Sequence, residues 1–171
     1  GLVDKGADKG ALILTERTLK DAESGLDLAT LTSTTFARGN GGYDGPSDEA
    51  PRPHKVPERE PDFAVDLTTL DMAALIYRLS GDYNPLHASP SVARAAGFPK
   101  PILHGLCSLG VAGHAILKGC CDYDAKRLKS LQLRFSSPVY PGETMRTEIW
   151  RDGANISFKS KIVERDVVVL D

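Results

Sequence analysis

At 171 residues the chain can bury one full core, with room for a fragment of a second domain beside it. Hydrophobic residues at 41% and charged residues at 26% exclude a disordered or fibrous chain. The 21 Lys and Arg stand against 23 Asp and Glu with both signs scattered, so there is no basic stripe to neutralise a run of phosphates and nucleic acid is excluded as a partner.

In chain order, Gly10 to Lys20 and Asp27 to Arg38 are rich in Leu, Ile, Val and Thr, and they flank a turn-forming segment from Asp21 to Leu26, as two antiparallel strands do. Two strands alone are marginal in water, so this hairpin must lean on something else. From Gly39 to Pro61 the prolines, Gly41-Gly42, Gly45-Pro46 and mixed charges describe a connector that cannot build a core. Its ordinary reading is a surface loop without a catalytic role. A short strand is expected over Asp62 to Asp66. Leu70, Ala73, Ala74, Ile76, Tyr77 and Leu79 then predict a helix within Thr68 to Ser80, with Thr68 or Thr69 as its N-cap and Gly81 as its stop. Asp82 to Pro90 reads as a loop, because Pro85 and Pro90 lack donors and push their predecessors out of the helical region. Ser91 to Ala96 reads as one or two helical turns ended by Gly97.

Pro101 marks the next helix start. Ile102 to Lys118 carries apolar side chains on nearly every face, which predicts a helix buried all round. Gly105, Ser108, Gly110, Gly113 and Ala115 lower its helix propensity, and close packing of strands is the expected compensation. Pro101 to Leu117 is the longest uncharged stretch, but its glycines, His104 and His114 suit a buried helix and not a membrane span. The remainder alternates, predicting strands at Leu128 to Phe135, Thr144 to Trp150, Ile156 to Glu164 and Val167 to Leu170, with turns at Pro141-Gly142 and Asp152-Gly153. One buried helix followed by such a meander predicts an α+β domain, an antiparallel sheet wrapped around a central helix.

The three cysteines, Cys107, Cys120 and Cys121, are odd in number and two are adjacent, which suits neither a disulfide framework nor a Cys-x-x-Cys metal knuckle. A reducing compartment fits them. There is no initiator Met and no secretory signal, and the ending Val-Val-Val-Leu-Asp stops inside an apolar run, which suggests part of a longer protein.

The densest chemistry lies in Ser80 to His87, where a carboxylate and an imidazole stand five residues apart in a loop stiffened by proline and hinged by glycine. Five positions do not share a helix face, but a turn can converge Asp82 and His87 on a single water, with the imidazole able to titrate near neutral pH. Taken alone, an Asp in a turn caps backbone amides more often than it catalyses. Pro101 to Leu106 adds a second feature. It places Gly105 in the first turn of the long helix, where backbone donors are unpaired and the dipole favours negative charge, as an oxyanion site requires.

Tyr77 to His87, then Ala96-Gly97-Phe98, Pro101 to Cys107, Arg134-Phe135 and Pro138 to Gly142, resemble the MaoC-like hydratases of the hotdog fold, and within them the type-2 enoyl-CoA hydratases of peroxisomal multifunctional enzymes. The resemblance implies reversible hydration of a trans-2-enoyl-CoA to a (3R)-3-hydroxyacyl-CoA in fatty-acid metabolism, with Asp82 and His87 activating the water. Gly105 would supply an oxyanion amide, worth roughly 3 kcal/mol. No metal or redox cofactor is implied, CoA being part of the substrate. Asn84 would orient Asp82 or the bound water, or else simply cap the turn. Acyl-CoA contacts are expected from Asp82, Tyr83, Asn84, Pro85, Leu86, His87, Gly105 and Phe135, with Phe135 as an apolar wall. Lys5 is a candidate cation for a CoA phosphate, although an exposed lysine is usually only a solvated charge.

Eukaryotic-type members of that family hold two hotdog repeats. By that pattern residues 1–38 are strands from the end of a degenerate first repeat, 39–61 a linker, and 62–171 the catalytic second repeat. A homodimer is the expected assembly, in the cytoplasm of a bacterium by default or in a peroxisome if the source is eukaryotic. The alternatives are a dehydratase or thioesterase on acyl-carrier-protein or CoA thioesters, or a hotdog module that binds acyl thioesters without turning them over. His104 and His114, ten apart and nearly on one helix face, lack a third ligand, so a metal site is not expected. His54 should be exposed in its Pro-rich segment, Cys107 should fill the core, and Cys120-Cys121 should sit where the helix frays.

Overall fold

The computed structural model describes residues 1–47 and 54–171, and the chain divides into two compact units, Gly1–Pro53 and His54–Asp171. In the first unit, strands β1 (Leu2–Asp4), β2 (Ala11–Lys20) and β3 (Asp27–Ala37) form an antiparallel sheet in the order β1-β2-β3. The β2–β3 turn is built by Asp21, whose carboxylate accepts from the Ser24 amide and hydroxyl at 2.7 Å each, while Gly25 N–H donates to the Asp21 carbonyl. Strand β1, absent from the sequence reading, is too short for any periodicity to reveal. It is fastened by Asp4, whose buried carboxylate accepts the amides of Gly6 and Gly42 at 2.8 Å and of Tyr43 at 2.7 Å. These donors hold the Asp4 carboxyl below its ordinary value.

The second unit carries β4 (Phe63–Thr68), α1 (Ala73–Arg78), α2 (Pro90–Ala95), α3 (Gly105–Cys120), β5 (Thr144–Asp152), β6 (Asn155–Ile162) and β7 (Val167–Leu170). Its four strands form one antiparallel sheet in the order β4-β5-β6-β7, and α3 packs against β4 and β5. Alternation decides the inner face. Met145, Thr147 and Ile149 of β5 and Phe158, Ser160 and Ile162 of β6 are buried, while Arg146, Glu148, Lys159 and Lys161 point the other way. The apolar members join Ala112 and Ile116 of α3, Leu103, Val139, Val169 and Leu170 in one core, each large side chain contributing roughly 1.5–3 kcal/mol. Thr147 and Ser160 are paired in register, and their hydroxyls satisfy one another at 2.9 Å inside that core. On the outer face Lys159 and Lys161 bracket Glu148 at 3.1 and 3.3 Å.

Four sequence expectations shift. The helix expected over 68–80 begins at Ala73, because Thr68 pairs with Thr144 in the sheet and the Thr69 hydroxyl is engaged by Glu143 O and Gly142 N, both at 3.0 Å. Neither threonine is free to cap. Helix α3 begins at Gly105, not beside Pro101, since Leu103 N–H donates to Val139 O at 2.7 Å and His104 keeps an extended backbone. It is not buried all round, because Leu106, Gly110 and His114 form an exposed stripe; a Cβ at Gly110, one of the small residues expected to admit a close strand, would meet no described residue within 4 Å, and the close approach falls instead at Gly119, where a Cβ would stand 2.6 Å from the Phe63 ring. Finally, 128–135 is not a strand. Arg134 and Asp171 exchange backbone hydrogen bonds at 2.6 and 3.1 Å and Phe135 bridges Leu170, but no ladder among the described residues reaches 128–133. Leu128, Leu131 and Leu133 still rest partly buried on the core, the last two keeping the alternation the sequence displays. No helix of the described residues is long and apolar enough to cross a membrane.

Candidate active site

The loop after α1 is set by how that helix ends. Ser80 and Gly81 N–H close tight turns on Tyr77 O and Arg78 O at 2.8 and 3.1 Å, and Gly81 then takes φ +106°, a conformation that side-chain-bearing residues rarely adopt. Asp82 follows immediately. Its carboxylate accepts the Asn84 amide at 3.2 Å, while the Asn84 side-chain oxygen accepts Leu86 N–H at 3.0 Å and caps the 3₁₀ turn Pro85–His87. Asn84 thus touches Asp82 through its main chain and the turn through its side chain. Proline at the first position of that turn presets its backbone and brings His87 back toward Asp82.

His87 Nδ1 lies 2.8 Å from Ile102 O. A carbonyl only accepts, so Nδ1 carries the proton and the neutral ring presents a lone pair at Nε2. One Asp82 carboxylate oxygen and one ring nitrogen each of His87 and His104 lie within 4.8 Å of one another. Two hydrogen bonds of about 2.8 Å meeting at a water near the tetrahedral angle span about 4.6 Å, so a carboxylate oxygen and a ring nitrogen within 4.8 Å of one another are in reach of one bridging water. The cluster does not suit a metal ion as it stands. The two imidazoles are stacked, with centroids 3.8 Å apart and planes inclined at 25°, so their lone pairs lie in separate, nearly parallel planes, a poor arrangement for two ligands of one ion. His104 Nε2 is moreover engaged with the Asp82 carbonyl at 3.2 Å.

Gly105 is the first residue of the sixteen-residue α3. Cys107 and Ser108 N–H turn back to His104 O at 3.1 and 3.2 Å, leaving the Gly105 and Leu106 amides without an acceptor among the described residues. Gly105 lines an open cleft of about 240 Å³ with Phe98, Ile102, Ser108, Phe135 and Val139. The Phe135 ring crosses close to it, so that a Cβ at position 105 would come within 3.2 Å of the ring edge. Asp82 and His87 do not line the cleft; Ile102 joins the two places, with its carbonyl on His87 and its side on the cleft.

Of the remaining candidates, Pro85 and Leu86 lie in the 3₁₀ turn, and Tyr83 is exposed with the Arg78 guanidinium 5.4 Å from its ring centre. Lys5 belongs to the first unit, exposed in the turn after β1, its main-chain N–H on Gly10 O at 3.0 Å. His54 is exposed and 2.8 Å from the Ser157 hydroxyl. His104 and His114 do not share a face. His114 is exposed and meets the Tyr123 hydroxyl at 3.1 Å, whereas His104 is the N-cap residue, 1% exposed. Cys107 packs partly buried against the core, where burial raises its thiol pKa, and Cys121 is buried just past the end of α3.

His104 is the member of the cluster that sequence reasoning missed. Burial pushes its pKa below the ordinary histidine value, opposed by the Asp82 carbonyl. The signal was its place beside Gly105 inside the segment Pro101 to Cys107.

Comparison with known proteins finds relatives along nearly the whole chain. A 3-hydroxyacyl-thioester dehydratase Y of Mycobacterium tuberculosis is 44% identical over 165 residues, covering 95% of this chain and 57% of that protein. A peroxisomal enoyl-CoA hydratase 2 of Arabidopsis thaliana is 41% identical over 179 residues, covering 99% of this chain and 57% of that protein. The crystal structure of a MaoC-like dehydratase from Phytophthora capsici superposes with a TM-score of 0.90 at 44% identity, over 99% of this chain and 59% of that one. The chain therefore spans a little more than half the length of these two relatives. The fold is the hotdog fold of these neighbours. The family described as MaoC like domain matches residues 53–171, and the chain belongs to that family.

Proposed function

We propose that this chain carries the active site of a (3R)-specific enoyl-CoA hydratase, a hydro-lyase that adds water reversibly across the double bond of a trans-2-enoyl thioester. The observation that carries the reading is the meeting of Asp82 and His87, with His87 Nε2 unspent, at the N-terminus of α3 where the Gly105 amide is unpaired. The names of the relatives, an enoyl-CoA hydratase and a 3-hydroxyacyl-thioester dehydratase, describe the two directions of one equilibrium.

Each group has a task. Asp82 accepts one hydrogen of the water and holds its oxygen toward C3, while His87 Nε2 takes the other as the C3–O bond forms. Negative charge gathers on the thioester oxygen, where the Gly105 N–H and the positive end of α3 meet it. A proton returned from the Asp82–His87 pair to C2 completes the addition, so the hydroxyl and hydrogen gained by the product are those of one water. The reaction runs on acid–base groups of the chain alone. In this reading Phe135 and the Asp82–His87 loop are contacts for the acyl-CoA. The segment 1–38 then stands for the end of a first hotdog repeat, 39–61 for a linker and 62–171 for the catalytic repeat of a homodimer. A bacterial cytoplasm, or a peroxisome in a eukaryote, goes with that reading.

Mixing the protein with crotonyl-CoA and longer enoyl-CoA homologues should bleach the ultraviolet band of the conjugated thioester without releasing a thiol. Thiol release would mean a thioesterase, and no change at all would mean a module that binds without turnover. Asp82→Asn and His87→Ala should each lower the rate at least ~10²-fold. Full rates in both would remove the pair from the mechanism.

A further inference from the structure

The water-activating pair rests on a third side chain to which neither water nor substrate has been assigned. His104 lies beneath it, 1% exposed. Three elements press on its ring: Tyr77 of α1 with centroids 4.6 Å apart, His87 of the 3₁₀ turn stacked at 3.8 Å, and the Asp82 loop. Its Nε2 meets the Asp82 carbonyl at 3.2 Å and stands 4.0 Å from the Asp82 carboxylate. Its Nδ1 is buried with no hydrogen-bond partner among the described residues. Tyr77, Asp82 and His87 are the titratable groups facing it.

We propose that His104 is a positioning residue for both halves of the pair, fixing the Asp82 main chain through Nε2–H and the plane of the His87 ring through stacking. This rests on the hydration reading of the site. The chemistry of His104 follows from its neighbours. A carbonyl on Nε2 requires the proton there, so Nδ1 keeps a bare lone pair that no described residue meets. A second proton would bury an imidazolium against the face of His87 and give Nδ1 a donor without an acceptor. The ring therefore stays uncharged while His87 takes up and releases its proton, and it offers an aromatic face to the imidazolium formed in each cycle. As a space-filler alone an imidazole is a poor choice, because phenylalanine would fill the same slot without an unpaired buried nitrogen.

Two substitutions separate these parts. His104→Phe keeps a flat ring between Tyr77 and His87 and removes the donor; His104→Gln can place an amide N–H where Nε2 stands and removes the ring. His104→Phe should melt at or above the temperature of the unaltered protein. Its kcat for crotonyl-CoA hydration should nevertheless fall about tenfold or more, with KM within about twofold, as misplacement of a reacting group predicts. The acid limb of kcat/KM against pH should move, and His104→Gln should regain part of the lost kcat. Rates within about twofold of the unaltered protein in both variants, with an unmoved pH profile, overturn the proposal. A second measurement needs no turnover: nitrogen-15 NMR of the imidazoles in the full chain. His104 should hold a single Nε2–H tautomer from about pH 8 to about pH 5, and a His104 that titrates over that range, or carries its proton on Nδ1, overturns the proposal. Absence of hydration in the unaltered protein would defeat the hydratase reading instead, leaving the NMR result to decide the placement of His104.

Discussion

Strands β2 and β3 of the first unit pair along their whole lengths, yet Leu19, Leu28, Leu31 and Phe36 remain exposed. Strands β5 and β6 of the second unit pair just as regularly, and Met145, Ile149, Phe158 and Ile162 are buried on one face. Both hairpins obey the same ladder rules. The difference is α3, which lies across the second sheet and gives its alternate side chains something to pack against. A ladder satisfies backbone groups, but the hydrophobic gain comes only when a second layer removes one face from water. The same helix presents the Gly105 amide, so the core that distinguishes the second unit also holds the candidate site.

The contrast can be broken by truncation. Met145→Ala, at a fully buried position, should destabilise the second unit by about 2–5 kcal/mol. The chain's single Trp, Trp150, is buried in the same strand, so its fluorescence in a denaturant titration follows that unit directly. A loss below about 1 kcal/mol would mean that α3 and the sheet are not one packed core.

A smaller and pH-dependent effect is expected in the first unit from Asp4→Asn. The native Asp4 carboxyl is held below its ordinary value of 3.8, chiefly by the Gly42 and Gly6 amides. The native state therefore binds fewer protons than the unfolded state across that range. Its stabilisation is complete above about pH 4 and disappears as pH falls through the lower native value. Amide exchange at Gly42, Tyr43 and Gly45 should be faster in the variant at neutral pH, and the difference should vanish in acid. A difference that persists unchanged in acid would show that charge on Asp4 does not hold this segment.

The least effect belongs to Leu28→Ala on β3, 67% exposed, which should alter stability by no more than about 0.5 kcal/mol. A loss as large as that of Met145→Ala would mean that this hairpin face is covered in solution, and the comparison between the two sheets would have to be redrawn.

Turns and most strand alternation were legible because each is local. Gly81 and Pro85 announce the bend after α1, Gly97 the end of α2, and Pro141-Gly142 and Asp152-Gly153 the turns around β5. The errors fell where a distant partner intervened. Thr69 would cap a helix if Glu143 and Gly142 did not engage its hydroxyl. Helix α3 would start near Pro101 if Val139 did not draw Leu103 into an extended strand-like contact. The periodicity of 128–135 is real, but alternation records which side chains meet the core and says nothing of whether a neighbouring strand is at hand. His104 was misplaced for the same reason. Its helical spacing to His114 suggested a shared face, whereas the extended backbone at His104 turns its ring under Asp82 and His87.

By itself, then, the sequence determined most of the elements, the bend that carries Asp82 and His87 and the glycine in the first turn of the long helix, because these follow from backbone restrictions within a few residues. Only the tertiary structure decided that His87 donates Nδ1–H to the Ile102 carbonyl, that His104 underlies both Asp82 and His87, and that one sheet is packed while the other stands open. Such contacts join residues far apart in the chain, and a spacing rule has no access to a distance that closes only when the core forms.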